Sequence, residues 1–288
     1  MATATIIDGV SLANAVKDDL FRRVEVIGGR VSLDAVLIGD DQGSMLYAKN
    51  QAKACEKVGI EYTLHQLPET APHVQVEELI LRLNNDPKVT AIMVQMPLPK
   101  GVRADDIQSL IAPCKDVEGV NPANIGNIVF GRRSLVPCTA LAVMEMIEST
   151  GIEIKGARAV CVGASTIVGK PVAVLLMQAQ ATVISTNEYT TNHDELTLGA
   201  DILISAAGVP NLIRPKMVKT GAVVIDVGIN RVEDEHGKKR TVGDVDFDGV
   251  KEVAGFITPV PGGVGPMTVA MLLRNTVQAA ELNKLPRT

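Results

Sequence analysis

Short apolar runs alternate along the chain with longer stretches in which apolar residues recur every three or four positions, the pattern of strands joined by helical crossovers. In the first half, residues 33–38, 61–67 and 89–96 read as strands, and 11–26, 44–58 and 74–85 read as helices. In the second half, 157–162, 181–185, 202–205 and 222–227 read as strands, with a helix over 169–180. Between the halves, Pro137-Cys138-Thr139 leads into a periodic helix over 140–150, with Thr139 as its N-cap. A last helix is expected over 269–282. Apolar strands separated by helices predict a parallel sheet covered on both faces, hence an α/β fold. No repeat of solenoid period and no low-complexity segment interrupts this pattern.

Composition narrows the classes of function. A chain of 288 residues is long enough for one or two domains with a large core. Apolar residues make up 46% of it, yet no unbroken run reaches the ~18 needed to cross a bilayer. The start, Met1-Ala2-Thr3-Ala4-Thr5-Ile6-Ile7-Asp8-Gly9, lacks the basic end and apolar centre of a signal peptide, so a cytoplasmic protein is expected. A formal charge of -5, with three tyrosines, four phenylalanines and no tryptophan, argues against a nucleic-acid surface. Cys55, Cys114, Cys138 and Cys161 are too widely spaced to suggest a metal site, and reduced, mostly buried thiols are expected.

Two stretches are shaped by glycine and proline. Thr258-Pro259-Val260-Pro261-Gly262-Gly263-Val264-Gly265-Pro266-Met267-Thr268 cannot be a regular element. Proline fixes φ and removes donors, while glycine enters positive φ and admits close approach. Thr268 is expected to open the last helix, whose free N–H groups would suit anionic or polar ligand atoms. A rigid interdomain turn is the alternative. The second stretch, Gly163-Ala164-Ser165-Thr166-Ile167-Val168-Gly169-Lys170-Pro171, follows the apolar run 159–162 as a turn into a helix. That arrangement holds a dinucleotide pyrophosphate at a helix N-terminus. Its spacing differs from G-x-G-x-x-G, and an ordinary strand-to-helix turn fits the residues as well.

Tyr47 and Gln51, four positions apart, share one helix face, from which Lys49 and Lys53 project away. Gln95 closes an apolar strand before Pro97-Leu98-Pro99, where a polar side chain either caps the loop or reaches a ligand.

Four segments in chain order resemble the methylenetetrahydrofolate dehydrogenase/cyclohydrolase family: 47–55, Val94-Gln95-Met96-Pro97-Leu98-Pro99, Lys115-Asp116-Val117-Glu118-Gly119 and 258–268. The resemblance spans nearly the whole chain. It implies a folate-binding catalytic domain of residues 1–138 plus 267–288, onto which the last helix returns, and a Rossmann-type NAD(P)-binding domain of 139–266. It further implies oxidation of 5,10-methylenetetrahydrofolate to 5,10-methenyltetrahydrofolate, with hydride passing to a nicotinamide across an interdomain cleft walled by 261–268. Tyr47, Gln51, Gln95 and Glu118 fall at its catalytic positions. Against the folate it places Tyr47, Gln95, Pro97, Leu98, Glu118, Pro261, Gly262, Gly263, Pro266 and Thr268. The dinucleotide falls to Gly163, Ala164, Ser165, Ile167, Val168, Ala207, Gly208, Val209, Gly228 and Ile229, and a homodimer is implied.

The chain departs from the family pattern where the chemistry is most sensitive. Gln51 stands where the family has a lysine tied to cyclohydrolase proton transfer, and an amide cannot exchange protons as a tuned lysine does. A weak or absent cyclohydrolase is therefore expected, with a full bifunctional enzyme and a catalytically silent folate- or nucleotide-binding paralogue as the alternatives. Glu118 replaces an aspartate thought to bind the pterin, keeping its charge on a longer arm, while Asp116 has a structural alternative as a local partner of Lys115. Glu188 lies about 20–25 residues beyond the glycine turn, where a carboxylate accepts from a ribose 2′-OH and repels a phosphate. Ala164 stands where many relatives carry arginine. These two positions favour NAD over NADP.

Overall fold

The computed structural model describes residues 3–132, 135–233 and 239–284. In chain order the first elements are β1 (Thr5–Ile6), α1 (Gly9–Ile27), β2 (Ser32–Ile38), α2 (Gln42–Val58), β3 (Glu61–Leu67), α3 (His73–Asn85) and β4 (Ala91–Val94). Helices α4 (Ala104–Leu110), α5 (Pro122–Val129) and α6 (Cys138–Glu148) follow. Next come β5 (Arg158–Val162), α7 (Gly169–Gln178), β6 (Thr182–Thr186), α8 (His193–Leu198), β7 (Ile202–Ser205) and β8 (Val223–Asp226). The chain closes through β9 (Asn230–Glu233), β10 (Lys239–Val242), α9 (Phe247–Val250), β11 (Phe256–Ile257) and α10 (Val264–Lys284).

The chain divides into two compact units, one of residues 14–138 with 269–288, the other of residues 1–13 with 139–268. The first is built on a three-stranded parallel sheet in the order β3-β2-β4. Every residue of β2 and β4 is buried, as their apolar runs require, whereas the edge strand β3 is half exposed. Val36, Ile92 and Val94 of the sheet meet Val76, Ile80 and Ile107 of the helices in one apolar cluster. Helix α10 is fixed to this unit by Asn275, whose Nδ2 donates to the carbonyls of Val117 at 2.8 Å and Val136 at 2.9 Å, and by the Arg23–Glu281 ion pair at 2.8 Å.

The second unit is a six-stranded parallel sheet, β1-β11-β8-β7-β5-β6, carrying an antiparallel β9–β10 ribbon. Its first strand corrects the expected domain boundary. Residues 3–13 fall in this second unit, because β1 pairs with β11 and Ala4 joins the apolar cluster of Val160, Leu203, Val224 and Ile257. A two-residue strand carries no periodicity from which this could be read.

Local corrections have equally local causes. Thr139 is not an N-cap: α6 already includes Cys138. Thr268 does not open α10, which begins at Val264; Pro266 falls in its first turn, where no N–H is needed, and Thr268 Oγ1 bonds back to the Val264 carbonyl at 3.1 Å. Helix α7 stops at Gln178, with Gln180 at a positive φ of 64°. Lys115 does not pair with Asp116; its ammonium binds the carbonyls of Leu83 at 3.0 Å and Asp86 at 2.7 Å, closing the C-terminal end of α3.

Candidate active site

In the first unit, one turn of α2 and the loops after β4 and α4 bring four of the expected residues together. Helix α2 is capped by Asp41, whose carboxylate accepts from Ser44 N at 2.7 Å. Its buried stripe, Ser44, Ala48, Gln51, Cys55 and Val58, sets Gln51 against the sheet at 1% exposure. Gln95 lies one residue beyond β4, tied to the strand ladder by its N–H to the Val36 carbonyl and buried to 2%. Gln95 Nε2 donates to Gln51 Oε1 at 2.6 Å. Tyr62 from β3 donates its hydroxyl to the same oxygen at 3.4 Å. Tyr62 was not foreseen, because a tyrosine on a half-exposed strand reads as ordinary sheet surface.

Tyr47 is 43% exposed, but its hydroxyl is the buried end. Burial pushes that phenol above the usual range, Gln51 eases it back, and the negative charge of Glu118 and the Cys138 thiol push it further up. Glu118 is partly buried at the end of the loop that Asp116 organises. Asp116 accepts from Asn121 N and Asn124 Nδ2, each at 2.8 Å, and is itself fully buried. The Glu118 carboxyl accepts from Val94 N at 3.4 Å. Burial, followed by the Asp116 charge, raises it from 4.5 to about 7, while the Val94 bond lowers it. A carboxyl that titrates near neutrality can take or give a proton. Pro97 and Leu98 follow Gln95 on the same loop, Pro97 exposed and Leu98 packed on the core.

The remaining expected folate residues, Pro261, Gly262, Gly263, Pro266 and Thr268, belong to the other unit. There Gly263 has a packing role. The first turn of α1 crosses it so closely that a Cβ on Gly9 would strike the Gly263 carbonyl.

The second unit carries a cavity of about 820 Å³ beyond the C-terminal ends of β5, β6 and β7. The sheet order reverses at β5, which has β6 on one side and β7 on the other, and such a switch point is where doubly wound sheets bind ligands. Gly163, at φ 102°, lies so close to the Ala206 backbone that no side chain fits. Ser165 Oγ accepts from Gly169 N at 3.3 Å at the start of α7. Gly163, Ala164, Ser165, Glu188, Ala207 and Val209 line the cavity as expected, together with Asn187, His193, Arg214 and Lys216. Ile167, Val168, Gly208, Gly228 and Ile229 do not line it. Lys216 is paired with Asp194 at 2.8 Å.

Gly208 and Gly228 also meet a carboxylate that the sequence pattern does not single out, Asp244. Asp244 Oδ2 accepts from Ala207 N at 2.7 Å and Gly208 N at 3.1 Å, and Oδ1 accepts from Val209 N at 3.0 Å. The loop's own N–H groups are thus satisfied within the protein. Gly228 lies directly on the Asp244 carboxyl, where a Cβ would collide with it. The signal lay in Gly243-Asp244-Val245-Asp246, whose acids resemble ordinary turn residues.

Cys55, Cys138 and Cys161 are buried and Cys114 is exposed, all as free thiols. Among the described residues no group of three His, Cys, Asp or Glu is placed to hold a metal ion, and no helix is long and apolar enough to cross a membrane.

Comparison with known proteins accounts for both units. Residues 7–118 match the tetrahydrofolate dehydrogenase/cyclohydrolase catalytic domain, and residues 137–284 match the NAD(P)-binding domain of the same enzymes. A bifunctional FolD protein of Bordetella bronchiseptica is 48% identical over 282 residues, covering 97% of this chain and 98% of the relative. The crystal structure of the bifunctional FolD methylenetetrahydrofolate dehydrogenase/cyclohydrolase of Campylobacter jejuni is 43% identical with a TM-score of 0.93, covering 98% of this chain and all of that one. The Trypanosoma brucei methylenetetrahydrofolate dehydrogenase-cyclohydrolase, solved with NADP and an inhibitor, is 38% identical with a TM-score of 0.92, covering 98% and 99% of the two chains.

Proposed function

The chain belongs to the tetrahydrofolate dehydrogenase/cyclohydrolase family, and on that premise we propose that it oxidises 5,10-methylenetetrahydrofolate and hydrolyses the 5,10-methenyltetrahydrofolate so formed. The observation that carries this reading is the cluster of Tyr47, Gln51, Gln95 and Glu118, which combines fixed hydrogen-bonding groups with a carboxyl held near neutrality.

For the oxidation, the carbon between two folate nitrogens gives up a hydride and the positive charge spreads over the N–C–N unit. A nicotinamide dinucleotide, when bound, supplies the hydride acceptor. The cavity beside the Gly163 turn fits such a group: the backbone is bare of side chains at Gly163, and the space of about 820 Å³ lies at the sheet's switch point. Gly163, Ala164 and Ser165 would hold the phosphate side, and Glu188 the adenosine ribose. No protein base is needed on carbon, so the folate unit acts by positioning. Tyr47 lies against the reacting ring, Gln51 and Gln95 orient it, and Glu118 holds the pterin. A neutral amide at 51 also leaves the developing cation unopposed, where an ammonium would repel it.

For the hydrolysis, water adds to the cationic carbon and loses a proton to give a neutral carbinolamine. As one C–N bond breaks, the hydroxyl loses its proton to become the formyl carbonyl and the departing nitrogen takes a proton up, so that one proton is released overall. Glu118 is the group suited to carry that proton, with Asp116, Tyr47 and Cys138 as the titratable groups around it. The names of the relatives support two activities and lend no support to the expectation of a weak cyclohydrolase. A second reading keeps that expectation, because Gln51 has no proton to exchange.

We further propose that Glu188 and Ala164 favour NAD over NADP, and that the chain assembles as a homodimer in the cytoplasm. One assay tests the main reading: purified protein with methylenetetrahydrofolate, NAD and NADP in parallel, following reduced nicotinamide and then methenyl decay. Reduced nicotinamide with accelerated decay supports both activities; reduced nicotinamide alone supports the second reading.

A further inference from the structure

Gln51 is a buried amide bonded at one end only. Its oxygen accepts twice, from Gln95 Nε2 at 2.6 Å and from the Tyr62 hydroxyl at 3.4 Å. Its Nε2 is buried and has no hydrogen-bond partner in the protein. A buried amide with its oxygen satisfied and its N–H₂ orphaned costs stability unless something else accepts from it. The Gln51 side chain also acts on the Tyr47 phenol, on which the Glu118 charge acts in turn.

We propose that Tyr62 is a positioning residue: together with Gln95 it pins the Gln51 amide so that N–H₂, and not C=O, faces the substrate as a neutral donor to a lone pair on the reduced pterin or its imidazolidine ring. The proposal rests on the folate reading of this site and adds the identity of the donor and the residue that orients it. An amide can bind either way round, and two donors to the same oxygen remove that freedom, since reversal would set N–H₂ against N–H₂ and O–H. Tyr62 suits the task because burial pushes its phenol up to about 12, so it remains a donor throughout the physiological range. Gln95 is held by its own backbone bond and by a second donation from its Nε2 to Met93 Sδ at 3.9 Å.

Steady-state kinetics of the full chain with methylenetetrahydrofolate test this. Tyr62→Phe should raise KM for the folate about 3–10-fold, the loss of one orienting hydrogen bond, with KM for the dinucleotide unchanged. Gln51→Met, which keeps the volume and removes the donor, should raise KM at least as much. The decisive readout is the double variant. If Tyr62 acts through Gln51, Tyr62→Phe adds nothing to KM in the Gln51→Met background, whereas a purely structural role gives additive effects. Should Tyr62→Phe fail to fold, Tyr62→Leu, which also removes the hydroxyl, replaces it with the same expected non-additivity. An unchanged folate KM in Tyr62→Phe, or additive effects in the double variant, overturns the proposal. A wild type that turns over no folate overturns the underlying functional reading instead, a result the variants cannot mimic.

Discussion

The carboxylate of Asp244 accepts the backbone N–H of Ala207 at 2.7 Å, and the next two N–H groups along the chain donate to the same side chain. Three successive N–H groups turned to one point make a ready anion site, here filled by the protein's own acid. The loop beside the cavity is therefore shaped by the protein's own contacts. Asp244→Ala should lower stability by about 2–4 kcal/mol, the cost of several buried donors left unsatisfied, and raise KM for the dinucleotide. Urea unfolding and cofactor kinetics check both. Unchanged stability would show that water replaces the carboxylate without loss.

Glu188 lines the cavity at the end of β6 and is exposed. Glu188→Arg should move the kcat/KM ratio towards NADP by about 10-fold or more, by removing a repulsive charge and adding a charge-assisted donor. Parallel kinetics with the two dinucleotides measure the shift, and a wild type with strong NADP preference contradicts the assignment. Arg214 and Lys216 line the same cavity; with Lys216 engaged by Asp194, Arg214 is the cation that would support a phosphate in that event.

Gly163 combines a φ of 102° with a backbone neighbour where its Cβ would stand. Gly163→Ala should destabilise by about 2 kcal/mol or more and open the turn from β5 into α7, with thermal unfolding and dinucleotide affinity as the two readouts.

Much of this arrangement was legible in the residues. The buried strands β2, β4, β5, β7 and β8 follow from apolar runs, and α2 and α3 from their periodicity. Tyr47, Gln51, Gln95 and Glu118 were drawn together by resemblance, and the structure places Gln51 and Gln95 in contact. What escaped was long-range or too short to leave a pattern. The two-residue β1 needs β11, some 250 residues away, to be a strand at all. Asp244 meets this loop only because β7 ends beside it, and Tyr62 meets Gln51 only because that side chain turns its oxygen towards β3. Gly208 and Gly228, expected at the dinucleotide, lie off the cavity lining, and Gly228 and Gly263 have close side-chain or backbone neighbours that leave no room for a Cβ.

Glu118 links stability to pH with a defined sign. Its carboxyl is raised from 4.5 to about 7 in the folded state, chiefly by burial, so the native protein binds the proton more tightly than the unfolded chain does. Its contribution to stability is complete below pH 4.5 and is lost as pH rises towards about 7. Glu118→Gln should therefore gain thermal stability relative to wild type as pH rises through that window and gain least at its acid end. A stability difference independent of pH would place the carboxyl in water.

We propose that one folate site serves both oxidation and hydrolysis, with Glu118 moving the proton that Gln51 cannot. The most direct measurement is the rate of methenyltetrahydrofolate hydrolysis by wild type and by Glu118→Gln across the neutral pH range, with hydride transfer measured on the same preparations. The account predicts accelerated hydrolysis by wild type with an inflection near the Glu118 value of about 7, and a loss of about 10²–10⁴-fold in the variant that exceeds any loss in hydride transfer. Hydrolysis by wild type no faster than in buffer, or equally fast in the variant, would contradict it.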